Sequence, residues 1–206
     1  MHPNQAFRKA TTCENAEFAR SRGFGILAVT AGGAPMLSHI PFLLSEDNKT
    51  AEFHLVRSNP IARALNSPLQ ARLAVSGPDG YVSPDWYGLD DQVPTWNYVA
   101  VHLTGEIERR PQEELLDLLD RQSAMFEDQL YPKPPWKTDK VAPDALEKLM
   151  RMIVPCRMRV DAIDGTWKLN QNKPAEAREG AADNMKAYGI GADTALLSAL
   201  MRGVVE

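Results

Sequence analysis

The sequence predicts an antiparallel β-barrel or curled sheet with peripheral helices, an α+β chain of mainly β character. Three observations lead there. After a short opening helix, five segments of strand composition run between residues 24 and 108, and the strong helical patterns come only afterwards, before and after one last strand. Parallel strand–helix–strand alternation is absent, which excludes the doubly wound folds. The long segment 97–108 alternates cleanly, with Val99, Val101 and Leu103 on one side and Tyr98, Ala100, His102 and Thr104 on the other.

The opening helix spans residues 11–22. Thr11 and Glu14 have capping-box spacing, so each side chain can take a free backbone amide of the other, and Gly23 ends the helix. Residues 24–30 form a strand and Ala31-Gly32-Gly33-Ala34 a turn; residues 35–44 return as the second arm of a hairpin. Met36, Ser38, Ile40 and Phe42 share one face of that arm, and Leu37, His39, Pro41 and Leu43 the other. Pro41 cannot donate to a ladder, so the arm belongs at an edge or carries a bulge. Residues 51–56 make a third strand. Asn59 then suits an N-cap and Pro60 the first helical position, which opens a short helix. Residues 71–76 form a fourth strand, expected to stop at Gly77-Pro78-Asp79-Gly80. A corner rich in rings follows, with Tyr81, Trp86, Tyr87, Trp96 and Tyr98 set around Pro84 and Pro94, and leads into the fifth strand.

Pro111 opens a helix with Leu115, Leu118, Leu119, Gln122 and Phe126 on one stripe. A second helix over 143–153 is expected to bury Leu146, Leu149, Met150 and Ile153. Residues 155–162 form the sixth strand, Asp164-Gly165 a turn into a polar segment, and two alanine-rich stretches the final helices. The chain reads as a single domain, 1–206, with a helical insertion at about 111–153 and C-terminal helices at about 175–202.

Composition sets the compartment and limits the partners. With 206 residues, 44% hydrophobic and 24% charged, the chain can bury a real core. A formal net charge of −4 gives no global attraction to nucleic acid, so DNA binding would need a local basic patch that the sequence does not display. Cys13 and Cys156 read as reduced thiols; with neither a secretory leader nor an apolar run of membrane-spanning length, the expectation is a soluble cytoplasmic protein.

The most specific chemistry lies in Arg57-Ser58-Asn59-Pro60. A helix N-terminus beside a guanidinium and a hydroxyl makes a phosphate cradle, although capping alone also accounts for the asparagine and the proline. His39, His54 and His102 each lie on a predicted strand. They would bind a metal only if they converged, and no local ligand spacing says that they do, so hydrogen-bonded barrel histidines are the simpler reading. There is no P-loop and no nucleophile-elbow motif, and Gly23-Phe24-Gly25 precedes a strand where a dinucleotide fingerprint would precede a helix. Lys168, Gln171 and Asn172 form a denser polar group beside Trp167. The pattern suits a phosphate-bearing aromatic ligand.

Five segments occur in one order: Ser38-His39-Ile40-Pro41-Phe42-Leu43-Leu44, His54-Leu55-Val56-Arg57-Ser58-Asn59-Pro60, Gly77-Pro78 with Tyr81 through Tyr87, Val93-Pro94-Thr95-Trp96-Asn97 running on to His102, and Trp167-Lys168-Leu169-Asn170-Gln171-Asn172-Lys173. Together they resemble the PaiB family of FMN-binding negative transcriptional regulators. The resemblance implies an antiparallel split β-barrel like that of the pyridoxamine-phosphate oxidases, FMN as cofactor, and a homodimer with the flavin in a groove at the subunit interface. It also implies repression of genes linked to sporulation and degradative enzymes. Carried onto this chain, Arg57, Ser58 and Asn59 would hold the FMN phosphate. His39 and His54, with the strand backbone at Ser38 and Ile40, would face the flavin or its ribityl chain. Trp96 and Asn97 would border the ring, and Lys168, Gln171 and Asn172 would close the site or reach it from the partner. Two positions depart from the family pattern: Asp79 stands where histidine is usual, and Asn170 where serine is usual. On the same barrel, a flavin-dependent oxidoreductase and a haem-binding or haem-degrading protein are the alternatives; no catalytic acid or base stands out to favour an enzyme.

Overall fold

The computed structural model describes residues 1–204. Its strands are β1 (Phe24–Val29), β2 (Met36–Pro41), β3 (Leu43–Leu44), β4 (Thr50–Val56), β5 (Leu69–Val82), β6 (Thr95–Arg109), β7 (Ile153–Lys168) and β8 (Gly191–Ala192). Its helices are α1 (Thr12–Arg22), α2 (Pro60–Ala64), α3 (Leu115–Glu127), α4 (Pro143–Met150), α5 (Ala175–Tyr188) and α6 (Thr194–Arg202). The strands hydrogen-bond in the order β2-β1-β5-β6-β7-β4-β3, with β8 paired to β5, and the sheet is not closed. The pairs whose register is resolved are all antiparallel. This is the mainly β, split-barrel architecture with helices that the sequence predicts.

Two compact units divide the chain. One comprises residues 1–18, 75–102 and 164–206, the other residues 19–74 and 103–163. Within the second, Leu27, Phe42, Phe53, Leu55, Ile61, Leu73, Leu103, Ile107, Leu115 and Met158 are all but sealed from solvent. Those on strands come from alternate positions, as a sheet with one buried face requires, and Ile61 of α2 and Leu115 of α3 join them. Within the first, α5 and α6 pack Ala177, Ala181, Ala182, Met185, Leu197 and Met201 with Val82, Tyr87, Val99 and Leu169.

Several elements form for the reasons legible in sequence. Glu14 Oε2 accepts from the Thr11 amide at 2.7 Å while Thr11 Oγ1 accepts from the Glu14 amide at 3.2 Å, which is the capping box of α1. β2 stops at Pro41 and lies at one end of the strand order, the position its proline demands. Ile40 and Phe42 are buried while Leu37 and His39 are exposed, so the two faces are those expected.

Four expectations are corrected. β5 does not stop at Gly77 but runs through Gly77-Pro78-Asp79-Gly80 to Val82. These glycines serve close packing, not a turn: a Cβ on Gly77 would sit 2.6 Å from the Phe18 ring and 2.9 Å from Val99 Cβ. β7 likewise continues through Asp164-Gly165 to Lys168, because a bare Gly165 lets the Asn15 side chain approach where a Cβ would come within 1.8 Å of Oδ1. The helix expected over 143–153 ends at Met150; Ile153 already belongs to β7, and Leu149 is exposed instead of buried. On α3, Phe126 lies outside the buried stripe and is partly exposed, with the tip of its ring and Met125 both against Gly23.

Candidate functional site

The end of β4 and the start of α2 carry the predicted phosphate motif. Asn59 Oδ1 accepts from the Ile61 amide at 2.9 Å, and Pro60 takes the first helical position. The Asn59 amide nitrogen also donates to Ser38 Oγ at 3.0 Å, which ties the junction to β2. α2 is only five residues long, so its dipole adds little. Arg57 is exposed but its guanidinium is already braced: Nε donates to the Arg151 carbonyl at 2.9 Å, and Nη2 to Gln112 Oε1 at 3.1 Å and to the Ile153 carbonyl at 3.3 Å. That bracing engages Nε and Nη2 and restrains the side chain. The Ser58 hydroxyl is exposed beside it. A guanidinium, a hydroxyl and an amide with no carboxylate in the motif form a donor set that fits a phosphate. Gln112 and the two carbonyls were not predictable from sequence, because they meet Arg57 from 55 or more residues away.

The neighbouring positions separate. His39 is exposed on β2, with its ring 6.4 Å from that of Phe24, and Ile40 is buried, leaving only its backbone for a ligand. His54 takes a different place from the one predicted. On β4 it alternates with the buried Ala51, Phe53 and Leu55, so it lies on the opposite face, where α3 packs and Gln122 bonds it. Burial there lowers its pKa from 6.5, and the Gln122 bond offsets part of the shift. Its Nδ1 has no hydrogen-bond partner among the described residues. The adjacent Glu52 accepts from Arg121 at 2.9 Å and from Arg157 at 3.0 Å, which covers this face with an ion network.

In the other compact unit, Trp96 and Asn97 point to opposite sides of β6. Trp96 is 47% exposed and stands edge-on to Tyr81, with ring centroids 6.4 Å apart. It lines an open cleft of about 560 Å³ with Ser76, Asp79, Tyr98 and Ala100. Asn97 is fully buried, and its amide nitrogen approaches Met201 Sδ at 3.5 Å. Asn97 is therefore corrected from a ring contact to an interior residue under α6, as the strand period requires of a residue next to an outward Trp96.

The polar segment after β7 also divides. Gln171 is turned inward, donating to the Trp167 carbonyl at 2.5 Å and accepting from the Leu169 amide at 2.8 Å, so it braces its own turn. Lys168 and Asn172 line a cavity of about 300 Å³ together with Lys173, Asn170, Tyr87, Thr95 and Gln92. Burial lowers the pKa of Lys168, whose ammonium bonds Thr95 Oγ1. The two departures from the family pattern have local reasons. Asn170 holds a left-handed backbone with φ 61°, which asparagine tolerates better than serine, and accepts from Tyr87 Oη at 3.2 Å. Asp79 Oδ1 accepts from the Ala192 amide at 3.2 Å. Among the described residues no three His, Cys, Asp or Glu side chains gather as a metal would require, so His39, His54 and His102 do not form such a group.

The family model described as "Putative FMN-binding domain" matches residues 1–162. "Protease synthase and sporulation protein PAI 2" of Bacillus subtilis (strain 168) is 30% identical, over 84% of this chain and 83% of its own. Among solved structures, the FAD and haem binding protein from Mycobacterium smegmatis superimposes with a TM-score of 0.59 at 14% identity, covering 90% of this chain and 82% of its own. The flavocytochrome Anf3 from Azotobacter vinelandii gives a TM-score of 0.55 at 14% identity, covering 81% of this chain and 72% of its own. The solved structures share the fold, whereas the family model and the Bacillus relative reach the sequence itself: the chain belongs to the FMN-binding domain family of PaiB-like proteins.

Proposed function

We propose that this chain is a PaiB-like negative transcriptional regulator that acts as a cytoplasmic homodimer and carries FMN. The cofactor follows from the family match over residues 1–162. The observation that supports its seat is the junction of β4 and α2, where the exposed Arg57 is braced through Nε and Nη2, Ser58 is exposed beside it and Asn59 caps the helix. These groups would hold the phosphate, with Ser38, His39 and the backbone at Ile40 along the ribityl chain. Lys168 and Asn172 are not assigned to the flavin, because their own cavity has a separate donor set. FMN, when bound, supplies a redox-active ring; the protein's part is to bind and orient it.

A spectrum of the purified protein, followed by mass spectrometry of the released ligand, tests the cofactor: flavin absorption and FMN mass are expected, and a Soret band in their place would overturn the reading. Arg57→Ala removes a charge-assisted hydrogen bond of about 1.5–3 kcal/mol, a roughly 10- to 150-fold loss of FMN affinity. Unchanged affinity in a fluorescence titration of the folded variant would remove Arg57 from the site. The regulatory role predicts promoter binding that weakens steeply with salt; steady turnover of NAD(P)H without promoter binding would instead mark an oxidoreductase.

A further inference from the structure

The cavity of about 300 Å³ lined by Lys168, Asn170, Lys173, Tyr87 and Thr95 is built from donors. Asn170 is 2% exposed, and its Nδ2 has no acceptor among the described residues, while its Oδ1 is already taken by Tyr87 Oη. A buried amide N–H without a partner is rare in folded proteins, since the desolvated donor is left uncompensated. Two ammonium groups stand at the same cavity. Lys168 Nζ bonds the neutral Thr95 Oγ1, and Lys173 Nζ bonds the neutral Gln92 Oε1 and lies 5.2 Å from the Tyr87 ring centroid. Neither forms an ion pair within 4.0 Å among the described residues, and Asp91 is the single acidic residue of the lining. Asn172 and Asn4 add further amide donors, and Phe7 and Tyr87 supply flat apolar walls. An excess of positive charge, a buried unfilled donor and an aromatic wall together specify an anion with a small body.

We propose that this cavity is a second ligand site, for a small oxyanion-bearing metabolite whose carboxylate or phosphate accepts from Asn170 Nδ2 and is paired by Lys168 and Lys173. It shares no residue with the Arg57–Ser58–Asn59 phosphate seat and does not depend on that assignment. A regulator that carries flavin in one place and an anion in another would answer to two inputs.

Isothermal titration calorimetry of the full-length, flavin-loaded protein tests this, with inorganic phosphate and succinate as probes and sodium chloride at matched ionic strength as control. The expected result is saturable single-site heat with at least one oxyanion and none with chloride; which one binds tells phosphate from carboxylate. Asn170→Asp keeps the side-chain shape and tolerates the left-handed backbone but places a charge where the donor stands. Lys173→Gln removes one ammonium with little burial at stake. Each is expected to weaken the anion at least tenfold while flavin content, read by visible absorption, stays at the wild-type level. No saturable heat from either oxyanion, wild-type affinity in both variants, or loss of flavin in step with loss of the anion would each overturn the proposal. If Asn170→Asp does not fold, Lys173→Gln alone decides the outcome.

Discussion

At the scale of single residues, the two thiols and one histidine carry the sharpest expectations. Cys13 is exposed, whereas Cys156 is 1% exposed and burial pushes its pKa up to about 12. Only a thiolate attacks a disulfide or alkylating reagent, so the native protein should titrate as one fast thiol. The second should appear only on unfolding, and two fast equivalents would contradict the buried position. His54 makes stability fall in acid. Burial lowers its folded pKa below the 6.5 of the unfolded chain, so the unfolded state takes up the proton first. Stability is full above about pH 6.5 and declines as the pH falls from there toward the folded value. His54→Gln should flatten that part of a urea-midpoint profile between pH 7.5 and 5; an unchanged slope would place the titrating group elsewhere.

At the scale of elements, close backbone approaches decide which segments are strands. Gly105 sits on β6 where a Cβ would stand 1.9 Å from the Arg159 carbonyl oxygen of β7, a backbone atom that cannot rotate away. Gly105→Ala should therefore cost about 2 kcal/mol or more, against the usual few tenths for an open glycine, and thermal melting would reveal it. The same physics explains what the sequence left hidden. Local signals were legible: the capping box of α1, the Asn59–Pro60 start of α2, the edge proline of β2 and the alternation of β6. Gly77-Pro78-Asp79-Gly80 and Asp164-Gly165 look like turns because glycine and aspartate usually make them. Here glycine meets Phe18, Val99 and Asn15 across long sequence separations, and no local pattern announces a distant side chain. For the same reason the seat of Arg57 was visible as a motif while its braces were not; the inward side of Asn97 follows from the β6 alternation, and only its partner Met201, 104 residues away, was hidden.

At the scale of the whole molecule, the proposed dimer has a direct readout. Sedimentation of the 22.8 kDa chain with FMN bound should report about twice that mass, and a stable monomer retaining full FMN would remove the interface groove from the picture. No helix among the described residues is long and apolar enough to cross a membrane. The net charge of −4 means that any contact with a promoter depends on where its 23 Lys and Arg residues cluster and not on their number.

β8 is only two residues long, yet Asp79 and Gly80 pair with Ala192 and Gly191, and the Asp79 carboxylate takes the Ala192 amide. Gly191 has φ 140° and lies so close that a Cβ would meet the Asp79 carbonyl oxygen at 2.2 Å. Descent should leave a mark on this arrangement. A lineage that carries histidine at 79 has no carboxylate to offer that amide, so the connection between α5 and α6 must change with it. Positions 79 and 189–192 are thus expected to drift together, as a covarying pair of segments, while the glycine at 191 resists exchange wherever the two-residue ladder persists.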